Sequence, residues 1–208
     1  MSSGPFTRPV KEITRQHRPH LRVRIVRRFY RGASAKSKSL EIVFHDLEGG
    51  SITAIVKPPH LSLFDERLVQ GRVYGIKTNT YHLENNSGKF LTSLHKLRIV
   101  FQLKTHLVDV PDECFFPDYM FDFRDFATLV DPDTIDETLL FDVIAKVSEI
   151  HEAREKVFYG KETKLIEIVL EDLRGMQLSC TLWGDYVDEI LKFEANIKSG
   201  TPVIILLS

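Results

Sequence analysis

One stretch of this chain occurs twice, and an internal repeat constrains a fold more than any composition value does. SLEIVFHDLEGGSITAIVK, residues 39–57, is echoed by KLIEIVLEDLRGMQLSCTLWG, residues 164–184. Each copy holds two runs rich in Val, Ile, Leu and Thr around the same punctuation, Asp-Leu-Xaa-Gly at Asp46–Gly49 and again at Asp172–Gly175. Such runs suit pleated backbone, and the glycine suits a tight turn, so each copy predicts a β-hairpin. A lone hairpin is marginal in water. Each copy therefore needs further strands of its own.

Those strands can be read on either side. LRVRIVRRF alternates apolar and basic residues, a half-buried strand, and RGASAKSKS after it is a polar, basic loop. Pro58 and Pro59 end the hairpin, because proline cannot donate to a ladder. HLSLFDERL suits a short helix, RVYGIKTNTYHL a fourth strand, residues 85–88 a turn, and KFLTSLHKLRIVFQLKT one or two further strands. Five strands with a helix between the third and fourth is the order of an OB-fold, a Greek-key barrel. The order then restarts. LLFDVIAKVSEI is a strand, HEAREKVFYGKE a polar loop, then comes the second hairpin. DYVDEILKFEANI fits an amphipathic helix with Tyr186, Ile190, Leu191 and Phe193 apolar, and VIILL is a strand. This copy shows no fifth strand. The expected class is mainly all-β: two tandem OB-fold barrels, the second apparently truncated. Residues 1–19 are read as a basic flexible arm, 20–106 as the first barrel, 107–137 as an acidic aromatic-rich linker and 138–208 as the incomplete second barrel.

Charge separates the halves. The net charge of −1 is the balance of 28 Lys+Arg and 29 Asp+Glu. Up to Thr105 there are 19 basic residues against 7 acidic ones; from His106 on there are 9 against 22. A basic barrel attracts polyanions. The linker holds Phe121, Phe123 and Phe126, which are expected to dock on a barrel. No apolar run is long enough to span a bilayer, so no membrane partner is expected. Cys114 and Cys180 are expected to be free thiols, and the absence of CxxC or HxxxH spacing argues against structural zinc. No P-loop, GxSxG or HExxH occurs, and the acidic pairs fall in a linker and a turn, so neither an enzyme nor a cofactor is expected.

VRIVRRF, the two repeat copies, GKF after the fourth strand, FPDYMFDFRDF and LFDVIAKV together resemble, in order and spacing, the tandem OB-folds of the large subunit of replication protein A, and its plant-type paralogues in particular. The resemblance runs over about residues 8–208. It implies single-stranded DNA binding in replication, repair or recombination, a nuclear location, and other subunits of that kind as partners. It also implies two stacking aromatics per barrel, one from the third strand and one from the last hairpin. Trp183 matches the first kind and Phe90 the second; in the first barrel the third-strand position falls on Val56.

The candidate interface combines these platforms with cations. Arg22, Arg24 and Arg28 share one side of the first strand, whereas Arg27 needs a bulge or the strand end to join them. Tyr30, Arg31, Lys36 and Lys38 belong to the loop that OB-folds use to grip ligand, and Lys57 and Lys77 lie at the third and fourth strands. RNA is an alternative ligand. A second reading is a protein-interaction paralogue, in which an open edge of the second barrel pairs with another chain or with a second copy.

Overall fold

The computed structural model describes residues 7–32, 34, 36–111, 116–131, 133, 135–158, 160–196 and, as backbone, 203–206. It divides into two compact units, one running to Met120 and including Glu137–Leu140, the other formed by Phe121–Asp136 and Phe141 onward.

In the first unit the alternating runs become β1 (Leu21–Arg31), β2 (Ser39–His45) and β3 (Ser51–Val56), followed by the one-turn helix α1 (Leu61–Phe64), β4 (Val73–Ile76), β5 (His82–Asn85), β6 (Leu97–Phe101) and β7 (Leu107–Asp109). The sheet order is β5-β6-β3-β2-β1-β4-β7, antiparallel except for β3 with β6. Its fourth strand departs from expectation. RVYGIKTNTYHL breaks at Asn79, whose φ is +58°, so that β4 pairs with β1 while β5 pairs with β6. The broken strand closes the barrel, and Thr80 holds the bend by donating to the Lys77 carbonyl and accepting from the His106 N–H. Inward side chains Val23, Ile25, Ile42, Phe44, Ile52 and Val56 form one core with Phe64 and Phe101.

The expected flexible arm is fastened from residue 7 on. Val10 and Ile13 are buried in that core, and the Val10 N–H donates to Asp46 at 2.6 Å. Residues 1–6 lie outside the described set.

The repeated Asp-Leu-Xaa-Gly has one physical cause in both units. Asp46 accepts from the N–H groups of Glu48 and Gly50 at 2.9 and 2.8 Å, and Asp172 accepts from Arg174 and Met176 at 2.8 Å each. Gly49 and Gly175 take the left-handed conformations the turns require, φ +87° and +80°.

The second unit contains the one-turn helix α2 (Phe126–Leu129), then β8 (Val143–Ile150), β9 (Arg154–Phe158), β10 (Lys161–Glu171), β11 (Gln177–Trp183), α3 (Asp185–Asn196) and β12 (Val203–Leu206). The order is β11-β10-β8-β12, with β9 pairing the start of β10. The expected loop HEAREKVFYGKE therefore contains a strand, Arg154–Phe158; its exposed Arg154, Glu155 and Lys156 gave it no buried face to betray one. β12 pairs with β8 as β4 pairs with β1, so this sheet has five strands once the unexpected β9 is included, and no strand after β12 is among the described residues. Helix α3 buries Val187 and Ile190, leaving Tyr186, Leu191 and Phe193 exposed.

The linker is distributed between the two units. Phe126 is 2% exposed in the second core, beside Ile166, Ile168 and Val187. Phe121 and Phe123 stack on each other at 4.9 Å and remain 40% exposed, unlike the buried Phe126. Phe116, which the sequence reading passed over, docks on the first unit against His45 and under the Arg22 and Arg24 guanidiniums, 5.7 and 5.3 Å away.

Candidate nucleic-acid interface

The outer face of the first unit follows from register. β1 slips between Ile25 and Arg27, and this bulge turns Arg27, Phe29 and Arg31 outward, opposite Val43, Glu41 and Ser39. Arg28 and Tyr30 then stand opposite the core residues Ile42 and Leu40. Glu41 pairs with Ile55, Ile55 with Val100, and Val100 with His82, so one row runs from Phe29 across four further strands. The neighbouring row contains Arg27, Val43, Thr53, Arg98 and Glu84.

A loop crosses these rows. Thr92 bonds Thr53 at 3.1 Å, and Ser93 donates to the Ser51 carbonyl at 2.8 Å. The next residue back, Leu91, donates to the Thr138 carbonyl at 2.6 Å and accepts from the Leu140 N–H at 2.9 Å. Phe90, at the exposed tip, is held at φ +63°, a conformation uncommon outside glycine, and remains 58% exposed. Arg31, Glu41, Thr53, Asn86, Phe90 and Arg98 line a shallow hollow, with Lys89 at its rim. An exposed aromatic ring on a fastened loop, with cations lining the same hollow, can stack a base while its phosphates find positive charge.

The predicted residues fall into three groups. Arg31, Lys57 and Phe90 belong to this face. Arg31 pairs with Glu41 at 3.1 Å, and Glu84 bridges Lys57 and Arg98 at 3.0 and 3.1 Å. These two cations pull the Glu84 carboxyl below its ordinary range despite the opposing effect of burial. Lys36 and Lys38 belong to the adjoining loop, whereas Tyr30, expected there, lies in β1 opposite Leu40. Lys38 sits 3.8 Å over the Tyr30 ring, Tyr30 donates to Asp65 at 2.5 Å, which pushes its phenol pKa up, and Lys36 is exposed. Gly32, at φ +114°, anchors this loop; a Cβ there would strike the Ser37 carbonyl.

Arg22, Arg24, Arg28 and Lys77 are placed elsewhere. Arg24 is 2% exposed and donates to the carbonyls of Gly71 and Phe116, with Asp118 at 3.3 Å. Arg22 donates to the Pro111 carbonyl at 3.2 Å. Arg28 ties β1 to the α1 region through Asp65 and the Leu68 carbonyl. Lys77 stands at the β4–β5 bend beside His106, outside the two rows. The first-strand arginines thus divide by the bulge: Arg22 holds Pro111, Arg24 holds Phe116 and Asp118, Arg28 holds the helix, and Arg27 faces out.

Register also corrects the third-strand position. His45 pairs with Ser51, and Glu171 pairs with Gln177, so the two hairpins superpose turn on turn. Counting from those turns, Trp183 corresponds to Lys57 and Leu182 to Val56. Val56 is wholly buried in the core and could not carry a base whatever its side chain. Trp183 is 40% exposed on the face of β11 opposite Leu178, Cys180 and Leu182, which pack on the second core.

Lys89 and Arg98 are residues of this face that the sequence reading left out, and the bulge adds Arg27 and Phe29 to it. Arg98 was legible as a charge inside an apolar strand; the others needed the bulge or the loop geometry. Cys180 is a half-buried free thiol whose pKa burial raises, and Cys114 lies outside the described residues. Among the described residues no cluster of His, Cys, Asp or Glu could hold a metal ion, and no helix is long and apolar enough to cross a membrane.

Comparison with known proteins supports the fold and the resemblance. A replication protein A 70 kDa DNA-binding subunit of Oryza sativa subsp. japonica is 29% identical over 165 residues, which cover 77% of this chain and 17% of that protein. The chain therefore spans about a sixth of that relative. A structure of a replication protein A heterotrimer bound to ssDNA matches 95% of this chain and 46% of its own, with a TM-score of 0.57 at 20% identity, a likeness of fold. The architecture is thus that of tandem OB-folds of the replication protein A kind. Residues 17–132, more than half of the chain, match the model of the domain of unknown function DUF223, and the chain belongs to that family.

Proposed function

We propose that this chain binds single-stranded DNA without catalysing a reaction on it, serving replication, repair or recombination in the nucleus beside other subunits of the replication protein A kind. The observation that carries the reading is Phe90, exposed at the tip of a fastened loop and flanked by Arg31, Lys89 and Arg98. Phosphates would be met by Arg27, Arg31, Lys36, Lys38 and Lys89, and bases would stack on Phe90 and, in the second unit, on Trp183. Stacking is tolerant of sequence because every base has a π-face. The rice relative and the solved heterotrimer, named for DNA binding and for bound ssDNA, support the same ligand.

Fluorescence titration with single-stranded DNA, duplex DNA and RNA of equal length tests this reading. Trp183 is the only tryptophan, so quenching of its emission reports contact in the second unit. Single-stranded DNA is expected to bind most tightly and to quench. Duplex binding as tight as single-strand binding would contradict it.

A second reading, as a protein-interaction module, draws on β11, which among the described strands pairs with β10 alone and so offers an edge to an added strand. A stoichiometric partner recovered by pull-down, or self-association on size exclusion, together with no oligonucleotide shift, would favour it.

A further inference from the structure

Stacking on Phe90 requires no particular base, yet the hollow beside Phe90 is lined by an acceptor as well as by cations. Its lining includes a carboxylate, Glu41, whose side chain is 10% exposed. Glu41 faces outward because Ile42 and Leu40 face the core, and Arg31 lies on it at 3.1 Å. A carboxylate offers about four acceptor sites, so one guanidinium contact does not exhaust it. Arg31 and Arg98 add donors to the same hollow, and Thr53 and Asn86 add neutral polar groups.

We propose that this hollow reads guanine, an inference that rests on the single-strand-binding reading above. Guanine alone among the bases carries two adjacent donors on its Watson–Crick edge, N1–H and the N2 amine, which match the two oxygens of one carboxylate. Its O6 and N7 are acceptors suited to a guanidinium. Adenine and cytosine place an acceptor next to their amine, and thymine flanks its single N–H with two carbonyls, so each directs an oxygen or a lone pair at Glu41. The selected ligand is a strand carrying guanine stacked on Phe90, with Glu41 as the acceptor and Arg31 or Arg98 as the donor. The remainder of the strand is held without preference.

The test uses the full chain and three fluorescent oligonucleotides of equal length: oligo-dT, the same strand with one central guanine, and the same strand with inosine there. Inosine keeps N1–H and O6 but lacks the N2 amine. The guanine strand is expected to bind on the order of tenfold more tightly than oligo-dT, with inosine between them. In Glu41→Gln the guanine-to-inosine ratio should fall to about one, because an amide has a single accepting oxygen and turns its NH2 donor toward the second guanine donor; general damage to the fold would weaken both strands alike and preserve the ratio. Equal affinity for the three strands, or an unchanged ratio in Glu41→Gln, overturns the guanine reading while leaving strand binding standing. No binding to any strand overturns both.

Discussion

The two third strands, β3 and β11, leave equivalent turns in equivalent register, yet the position just past Val56 is Lys57 and its counterpart is Trp183. The same backbone address carries a cation in the basic unit and an aromatic in the acidic one. In the first unit Lys57 is engaged by Glu84, and the exposed aromatic is supplied by the last hairpin, at Phe90. The repeat therefore conserves the scaffold, in its turns and core parity, while the chemistry of the outer face differs between the two units.

The largest effect should come from the linker segment that the second unit absorbs. Phe126→Ala removes a ring from its core and should cost that unit about 3–5 kcal/mol, read by urea unfolding followed through Trp183 emission. Phe121→Ala, on an exposed stacked pair, should cost well under half as much. Equal effects would mean that the second core does not depend on Phe126.

Next come the platforms. Phe90→Ala should weaken oligo-dT binding by roughly 1–3 kcal/mol, measured by fluorescence anisotropy. If Trp183→Ala proves neutral where Phe90→Ala does not, the ligand is confined to the first unit.

The two turn aspartates sharpen the comparison further. Asp46 also accepts from the Val10 N–H and is buried, so Asp46→Ala should destabilise its unit by about 1–3 kcal/mol. Asp172→Ala, at an exposed turn, should cost less. Amide hydrogen exchange along β2 and β10 separates the two.

The smallest effect is on pH dependence. Burial, reinforced by the nearby Arg24, holds His45 below its ordinary value of 6.5. The unfolded chain then binds a proton that the folded chain refuses, so stability is complete above pH 6.5 and declines as pH falls from there toward the folded value. His20, also lowered by burial, acts in the same direction. A melting temperature that falls as pH drops below 6.5, and falls less in His45→Gln, is the expected result.

The scaffold was legible because period-two alternation and the Asp-Leu-Xaa-Gly turns are local signals. What escaped was long-range or left no period. The bulge at Val26 turned Arg27 and Phe29 to the outer face and left Arg28 and Tyr30 on the side of Ile42 and Leu40, reversing which arginine the alternation would choose. The Asn79 break that closes the barrel rests on a bond from His106 to Thr80. β9 buries too little to show alternation, and Val10 and Ile13 are two apolar residues in a stretch otherwise basic and polar. Phe90 and Trp183 were legible through resemblance, whereas the cations around Phe90 depended on the fold of the loop.

The central claim is that a strand of nucleic acid lies on the basic outer face of the first unit. Anisotropy with oligo-dT between about 50 and 200 mM salt tests it most directly. With roughly five phosphates contacted, a slope of about −0.7 per contact predicts about a hundredfold loss of affinity across that range. An affinity that stays flat would contradict the account.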